Sequence, residues 1–313
     1  MTEFDLIARV FAPLATAPGA FGLTDDVAMI APRRGCELVV TTDTIVAGVD
    51  FFQSDAASVV AKKALRVNLS DLAAKGAEPF AYLLTLLIPE EIGLPYLNEF
   101  AESLNEDQNR FGLSLLGGDM SSMPGPLSIS ITAFGHVPVG RLVRRNGARA
   151  GDLVFVTGTI GDSGGGLALL KNPALSASVD VHAVLAGRYL LPEPRVAFAP
   201  ALRSASASID VSDGLLADLG HIAEASCVRV VVEADWIPRS PELIALWGNG
   251  EDAIVRAATA GDDYEIAFTA PTLVRDVHTP VTCIGRVEQG SGVVLVDAQG
   301  REIAVPRAGY CHF

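Results

Sequence analysis

The stretch Val67-Asn68-Leu69-Ser70-Asp71-Leu72-Ala73-Ala74-Lys75-Gly76 runs directly into residues 80–88, Phe-Ala-Tyr-Leu-Leu-Thr-Leu-Leu-Ile. The first part closes a helical pattern that opens at Ser54, a suitable N-cap, and stops at Gly76. The second part reads as a strand. Working outward, residues 94–111 read as a helix halted by Gly112, and residues 113–116 and 127–137 as strands. Upstream, residues 4–14 suggest a short amphipathic helix, and residues 27–31 and 37–42 suggest strands. Helices and strands alternate without the regular rhythm of a doubly wound sheet, so the expected class is α+β.

At Pro138-Val139-Gly140 the character changes, and a basic patch follows: Arg141, Arg144, Arg145 and Arg149. Two domains are expected for 313 residues, at 1–138 and 139–313. The second half shows strands near 153–157, 208–211, 228–232, 264–269, 282–284 and 292–296. Helices are expected near 165–170, 182–190, 195–203, 215–225 and 241–247.

Half of the residues are apolar, as in a well-buried globule. The 23 basic and 37 acidic residues give a net charge of −14, which argues against a nucleic-acid surface. Anionic nucleotides remain possible ligands if Mg²⁺ and a few arginines supply local positive charge. Cys36, Cys227, Cys283 and Cys311 stand far apart and form no C-x-x-C pair. The start, Met1-Thr2-Glu3-Phe4-Asp5, lacks signal-peptide regions, and the apolar stretch between Pro79 and Pro89 is too short to span a bilayer. No membrane association is expected, and a reducing cytoplasm is the expected setting.

Aspartates gather in short clusters: Thr24-Asp25-Asp26, Thr41-Thr42-Asp43, Asn68 to Asp71, Gly117-Gly118-Asp119, Asp210-Val211-Ser212-Asp213 and Gly261-Asp262-Asp263. Most lie where a strand stops or a helix begins. Carboxylates brought together repel one another and resist desolvation, so such a collection points to a bound cation. Oxygen-only donors suit Mg²⁺, which in turn points to substrate phosphates.

Each cluster also has a plainer reading. Asn68 and Asp71 share a helix face, and Asp71 could pair with Lys75 as a surface salt bridge. Asp43 and Asp119 could simply form turns. Ser212 or Asp213 is a natural N-cap for the helix at 215, and the same helix end attracts phosphate. The run Gly158-Thr159-Ile160-Gly161-Asp162-Ser163-Gly164-Gly165-Gly166 outlines a phosphate cradle but lacks the Walker A lysine; a tight strand-to-helix turn serves equally well. Arg145 is the best candidate phosphate reader of the basic patch. The histidines show no metal or triad spacing, and no nucleophile elbow is present.

In order along nearly the whole chain, these segments resemble thiamine-monophosphate kinases. The resemblance rests on Thr24-Asp-Asp, Thr41-Thr-Asp-Thr-Ile-Val-Ala-Gly, Val67-Asn-Leu-Ser-Asp-Leu-Ala-Ala-Lys-Gly-Ala, Gly117-Gly-Asp, Gly151-Asp-Leu-Val-Phe-Val-Thr-Gly, Asp210-Val-Ser-Asp-Gly-Leu, Gly261-Asp-Asp-Tyr-Glu and Gly309-Tyr-Cys-His-Phe. It implies a two-domain architecture like aminoimidazole ribonucleotide synthetase, with an α/β C-terminal domain and N-terminal domains that pair in a homodimer. It implies transfer of the ATP γ-phosphoryl group to thiamine monophosphate. The implied Mg²⁺ ligands are Asp26, Thr41, Thr42, Asp43, Asp71, Asp119, Asp210 and Asp213, with Asp43 and Asp71 central to catalysis. Gly117, Gly118, Arg145 and Ser212 are the implied ATP contacts; Asp50, Asp262 and Tyr310 are the implied acceptor contacts, with Arg307 an alternative at the C-terminal end. Three positions depart from the family's pattern: Thr24 stands for Gly, Asp262 for Glu and Asp50 for His. Another ATP-dependent synthetase of the same fold, or an inactive nucleotide- and metal-binding homologue, are the alternatives.

Overall fold

The computed structural model describes residues 3–172, 174–175, 177–274 and 278–310. The chain forms two compact units. Unit 1 comprises Met1–Leu72 with Ala77–Gly140, and unit 2 comprises Ala73–Gly76 with Arg141–Phe313.

Unit 1 carries α1 (Glu3–Leu6), β1 (Cys36–Val46), α2 (Ala57–Ala74), β2 (Glu78–Ile88), α3 (Leu94–Phe111), β3 (Ser114–Ser122) and β4 (Ser128–Pro138). The strands form one sheet in the order β1-β4-β2-β3. β4 pairs antiparallel with β1 and β2, whereas β2 and β3 run parallel across the α3 connection. Helix α2 is buried without a break from Lys63 to Ser70, so it is enclosed on nearly every side, including at Lys63, Arg66, Asn68 and Ser70. Its buried charges are therefore paired: Arg66 forms a two-bond fork with Asp107 of α3, at 2.7 and 2.9 Å. Lys63 donates to the Asp50 carbonyl at 2.8 Å. The Tyr82 hydroxyl of β2 donates to Gln108 of α3 at 2.8 Å, tying the sheet to that helix.

Three local expectations fail here. Residues 27–31 form no strand; their backbone is anchored by Met29 N–H donating to Gly19, where a Cβ would stand 1.9 Å from the Met29 carbonyl oxygen. The helix expected at 4–14 breaks into α1, a π turn and a 3-10 turn, because Pro13 cannot donate the bond that would continue it. α2 begins at Ala57, and Ser54 lies in the preceding turn. Gly76 does stop the helix, with φ +71°, and Gly112 ends α3 at +73°.

Unit 2 carries β5 (Leu153–Thr157), α4 (Asp162–Lys171), α5 (Val179–Leu190), α6 (Ala199–Leu202), β6 (Ala207–Asp210), α7 (Leu215–Ser226), β7 (Arg229–Glu233), α8 (Pro241–Trp247), α9 (Glu251–Thr259), β8 (Ile266–Ala270), β9 (Val281–Glu288) and β10 (Gly292–Val296). Its six-stranded sheet has the order β10-β7-β9-β5-β8-β6 and is antiparallel except for β10 with β7. Alternation along β5 separates two cores. Val154 and Val156 face a cluster with Ile209, Leu215, Leu219 and Ile222. Phe155 joins Phe198, Leu202 and Phe268 on the other side, stacking on Phe268 with ring centroids 5.2 Å apart. Both faces are thus covered, which explains why β6 and β8 are buried throughout. The expected α+β class holds in both units. Among the described residues no helix is long and apolar enough to cross a membrane.

Candidate active site

In unit 1 the two-residue period of a strand meshes with the three-residue spacing of a helix. Thr41 and Asp43 of β1 face α2, where Asn68 and Asp71 present one side. The Thr41 hydroxyl donates to Asp71 Oδ2 at 2.5 Å, and Asp43 N–H donates to Asn68 Oδ1 at 3.0 Å. Asn68, fully buried, donates back to the Ala64 carbonyl at 3.0 Å, which fixes its amide. Burial pushes the Asp43 carboxyl up to about 6, and the charges of Asp71 and Asp50 push the same way. Asp43 thus sits where its anionic charge is disfavoured, which is the electrostatic condition a cation relieves. Oxygen-only donors fit a hard divalent ion such as Mg²⁺.

The other expected ligands of unit 1 lie farther out. Asp119 pairs across β2 with Thr85, and through Ser130 with Thr44. It stands three strands from β1, about 14 Å at ordinary strand spacing. Thr42 lies on the exposed side of β1, donating to the Ile131 carbonyl at 3.1 Å. Asp26 is exposed, and its N–H bonds the neighbouring Asp25 side chain. Asp50 accepts Val46 N–H at 2.8 Å through its side chain, closing the turn after β1. Gly117 and Gly118 belong to β3. At Gly118 a Cβ would stand 1.8 Å from the Leu84 carbonyl oxygen, so the neighbouring strand itself requires glycine there.

In unit 2 a second constellation surrounds the start of α7. Asp210, buried, ends β6, and Val211 to Gly214 lead into the helix. The N-cap of α7 is Gly214, at φ +124° and without a side-chain cap bond, in place of the expected Ser212 or Asp213. The cap work falls to Asp218. Its Oδ2 accepts the N–H groups of Ser212, Asp213 and Gly214 at 3.0, 3.1 and 3.1 Å. Ser212 therefore keeps only its hydroxyl for a ligand. Burial raises the Asp218 carboxyl to about 7, Asp213 adds to that, and the three N–H bonds work against it.

The Gly261-Asp262-Asp263-Tyr264-Glu265 segment docks on this loop. Asp262 N–H donates to the Ser212 carbonyl, and Tyr264 N–H to that of Val211, each at 2.8 Å. A Cβ at Gly261 would come within 2.5 Å of the Ser212 carbonyl oxygen. Asp262 and Tyr264 both take left-handed backbone angles, +65° and +52°, and the Tyr264 hydroxyl donates to Asp262 Oδ1 at 3.1 Å. Tyr310 N–H donates to the Asp213 carbonyl at 2.8 Å, so the C-terminal end joins the same surface. Asp213, Asp262 and Tyr310 are thus held on one hydrogen-bonded group of loops. Arg307 is exposed, and residues 311–313 lie outside the described residues. Arg145 is exposed in a 3-10 turn, and its carbonyl accepts the Ser226 hydroxyl at 2.9 Å. Lys75, expected to face Asp71, donates to the Ser208 carbonyl at 2.6 Å.

Two motif residues are structural anchors. Asp263, fully buried, accepts Gly161 N–H at 2.6 Å and Ser163 N–H at 3.2 Å. It fills the end of the glycine-rich run from within, which favours the second reading of residues 158–166: a strand-to-helix turn in which the Gly161 and Ser163 amides are already taken. Burial holds the Asp263 carboxyl well above the usual range. Glu265, also fully buried, meets Arg195 through two bonds, Arg188 at 2.7 Å and the Thr157 hydroxyl at 2.7 Å. Burial alone would raise its carboxyl, but the hydrogen bond and charge of Arg195, with Arg188 and Thr157, bring it below the usual value.

Sequence reasoning missed Asp218 and His221. Asp213, Asp218 and His221 bring side-chain donor atoms within 4.8 Å of one another, with His221 exposed. Spacing could have found the pair on the helix, since residues 218 and 221 stand three apart on one face of α7.

Comparisons with known proteins agree with this architecture. Residues 24–137 match the AIR synthase related protein, N-terminal domain, and residues 149–306 match its C-terminal domain. The thiamine-monophosphate kinase of Caulobacter vibrioides is 41% identical over 324 residues, covering 99% of this chain and 91% of the relative. The crystal structure of thiamine-monophosphate kinase from Stenotrophomonas maltophilia K279a is 40% identical with a TM-score of 0.85, covering 97% of this chain and 98% of that one. The structure of AaThiL complexed with AMPPCP and TMP is 32% identical with a TM-score of 0.81, covering 100% and 99% of the two chains. With both domains matched and full-length relatives above 30% identity, the chain belongs to the thiamine-monophosphate kinase family.

Proposed function

We propose that this protein transfers the γ-phosphoryl group of ATP to thiamine monophosphate, giving thiamine diphosphate and ADP. The observation that carries the reading is the full-length likeness to AaThiL complexed with AMPPCP and TMP, an ATP analogue and the phosphate acceptor. The acids described above support it at the level of chemistry.

Donor and acceptor are both anions, and their mutual repulsion is the main obstacle to reaction. Mg²⁺ bound by the carboxylates would neutralise phosphate charge and align the attacking and leaving oxygens for in-line displacement. We assign Asp43 and Asp71 as its central ligands, with Asp26, Thr41, Thr42, Asp119, Asp210 and Asp213 as further ligands. In this reading several ions are bound, and Asp119, about 14 Å from Asp43 by strand spacing, serves a different ion from the central pair. The Thr41 hydroxyl holds the Asp71 carboxylate, and Asn68 anchors the Asp43 backbone N–H, before substrate arrives. The acceptor phosphate has its second pKa near 6 and is largely ionised at neutral pH, so no strong general base is required.

Gly117, Gly118, Arg145 and the Ser212 hydroxyl are the proposed ATP contacts. Arg145 offers an exposed guanidinium suited to a phosphate. Asp50, Asp262 and Tyr310 are assigned to the acceptor, whose thiazolium ring is cationic and suits a carboxylate and an aromatic face. In this reading residues 1–138 supply metal, nucleotide and dimer contacts and residues 139–313 complete the site, in a cytoplasmic homodimer. The exposed Leu38 and Val40 on the outer side of β1 support pairing of two copies through that sheet.

The test is incubation with ATP, Mg²⁺ and thiamine monophosphate, with both products separated and quantified. Equal amounts of thiamine diphosphate and ADP are expected. ADP without thiamine diphosphate would instead indicate a synthetase of the same fold, and no turnover an inactive homologue.

A further inference from the structure

We propose that Asp218 is a positioning residue for the Asp210–Gly214 loop, a role that rests on the kinase reading above for its functional meaning. One carboxylate oxygen accepts three consecutive N–H groups, those of Ser212, Asp213 and Gly214, at 3.0 to 3.1 Å. The residue is 2% exposed, so water cannot replace it at those amides. Gly214 supplies no side chain, and neither Ser212 nor Asp213 caps the helix. Without Asp218 the three donors at the end of α7 would be left without this partner inside unit 2.

The consequence reaches the site through the loop's other side. The carbonyls of Val211, Ser212 and Asp213 receive Tyr264, Asp262 and Tyr310 N–H respectively. One carboxylate therefore grips the amides of the segment whose carbonyls hold the proposed acceptor-binding loops. It fixes the direction in which the Ser212 hydroxyl and Asp213 carboxylate emerge. The same device recurs at α4, where Asp263 takes the amides of Gly161 and Ser163. In unit 2 both helix ends that looked like phosphate cradles are thus filled by the chain's own carboxylates.

The experiment compares Asp218→Asn and Asp218→Ala with the unaltered chain. Amide hydrogen exchange is read by NMR, and the Mg²⁺ dependence of thiamine diphosphate formation is measured alongside. Asparagine keeps an oxygen that can accept the three N–H groups but loses the charge that strengthens them; alanine loses both. Exchange at amides 212–214 is expected to rise roughly tenfold with asparagine and roughly a hundredfold or more with alanine, with β8 amides unchanged. The Mg²⁺ concentration for half-maximal rate should rise about tenfold with asparagine, and KM for thiamine monophosphate should rise with it, because the same loop holds Asp262 and Tyr310. If alanine prevents folding, asparagine alone decides through the exchange of the three amides. Unchanged exchange at these amides overturns the proposal, as does an equal rise throughout unit 2, which would mean general stabilisation. Asparagine as damaging as alanine for turnover, with exchange unaltered, would also overturn it by making Asp218 a direct ligand. If the unaltered chain forms no thiamine diphosphate, the kinase reading fails, and the exchange result still decides the positioning role.

Discussion

Glu265 shows how one buried residue fixes a motif. Two arginines and a threonine hydroxyl surround a carboxylate with no exposure, and they outweigh the cost of burying it. Replacing it by glutamine leaves Arg188 and Arg195 without their counter-charge. Glu265→Gln should cost about 3 kcal/mol in urea unfolding at pH 7.5. Because the folded carboxyl lies below its usual 4.5, its contribution is fully present above that value. It is lost as pH falls through the folded value, so the gap between the two proteins should close below about pH 4.5. Asp43 is the opposite case, an acid held where its charge is disfavoured. Asp43→Asn should raise the Tm of the EDTA-treated protein by a few degrees while turnover falls steeply, a trade of stability for function. An unchanged or lowered Tm would mean that the crowding of Asp43, Asp71 and Asp50 carries no energetic cost. At this scale the sequence was legible where partners are close along the chain or periodic. Asn68 and Asp71 share a face because they stand three apart. Asp263 was opaque because its partners lie about a hundred residues away, at Gly161 and Ser163.

Elements were read well where local chemistry and packing agree. Gly112 after α3, and Pro241 at the start of α8, gave ends that match the structure. At α8 the cap itself is readable: Ser240 Oγ accepts Leu243 N–H at 3.0 Å while donating to buried Asp162 at 2.6 Å. Ser240→Ala should cost about 1 to 2 kcal/mol, measured by chemical unfolding, with little effect on the rate at saturating substrate. Helix α9 was missed. Its signal was present, since the buried Ala253, Ile254, Ala257 and Ala258 recur at the spacing of one helix face. Residues 27–31 erred the other way. They are apolar enough for a strand, but Val27 and Met29 remain exposed and the sheet edge belongs to β1. The ladder partner, not the propensity, makes a strand.

For the whole molecule, two domain matches and full-length relatives place the chain in its family, and the order of the acid clusters carried that signal in the sequence. The six-stranded order of unit 2 was not legible, since pairing among distant strands leaves little local trace. Pairing of two copies through unit 1 predicts a molecular mass near twice 32.7 kDa by light scattering. Leu38→Glu combined with Val40→Glu should halve that mass, because two charges would then replace apolar contact on the outer face of β1. A monomeric parent protein would remove the pairing proposal.

The central claim is that gathered carboxylates hold the divalent ions that let two phosphate anions react. Its most direct test is the initial rate of thiamine diphosphate formation against Mg²⁺ concentration, for the unaltered chain and for Asp71→Asn. No product is expected without Mg²⁺, and the variant should lose roughly a hundredfold or more at limiting Mg²⁺, with folding retained. Near-normal turnover of Asp71→Asn at limiting Mg²⁺ would contradict it.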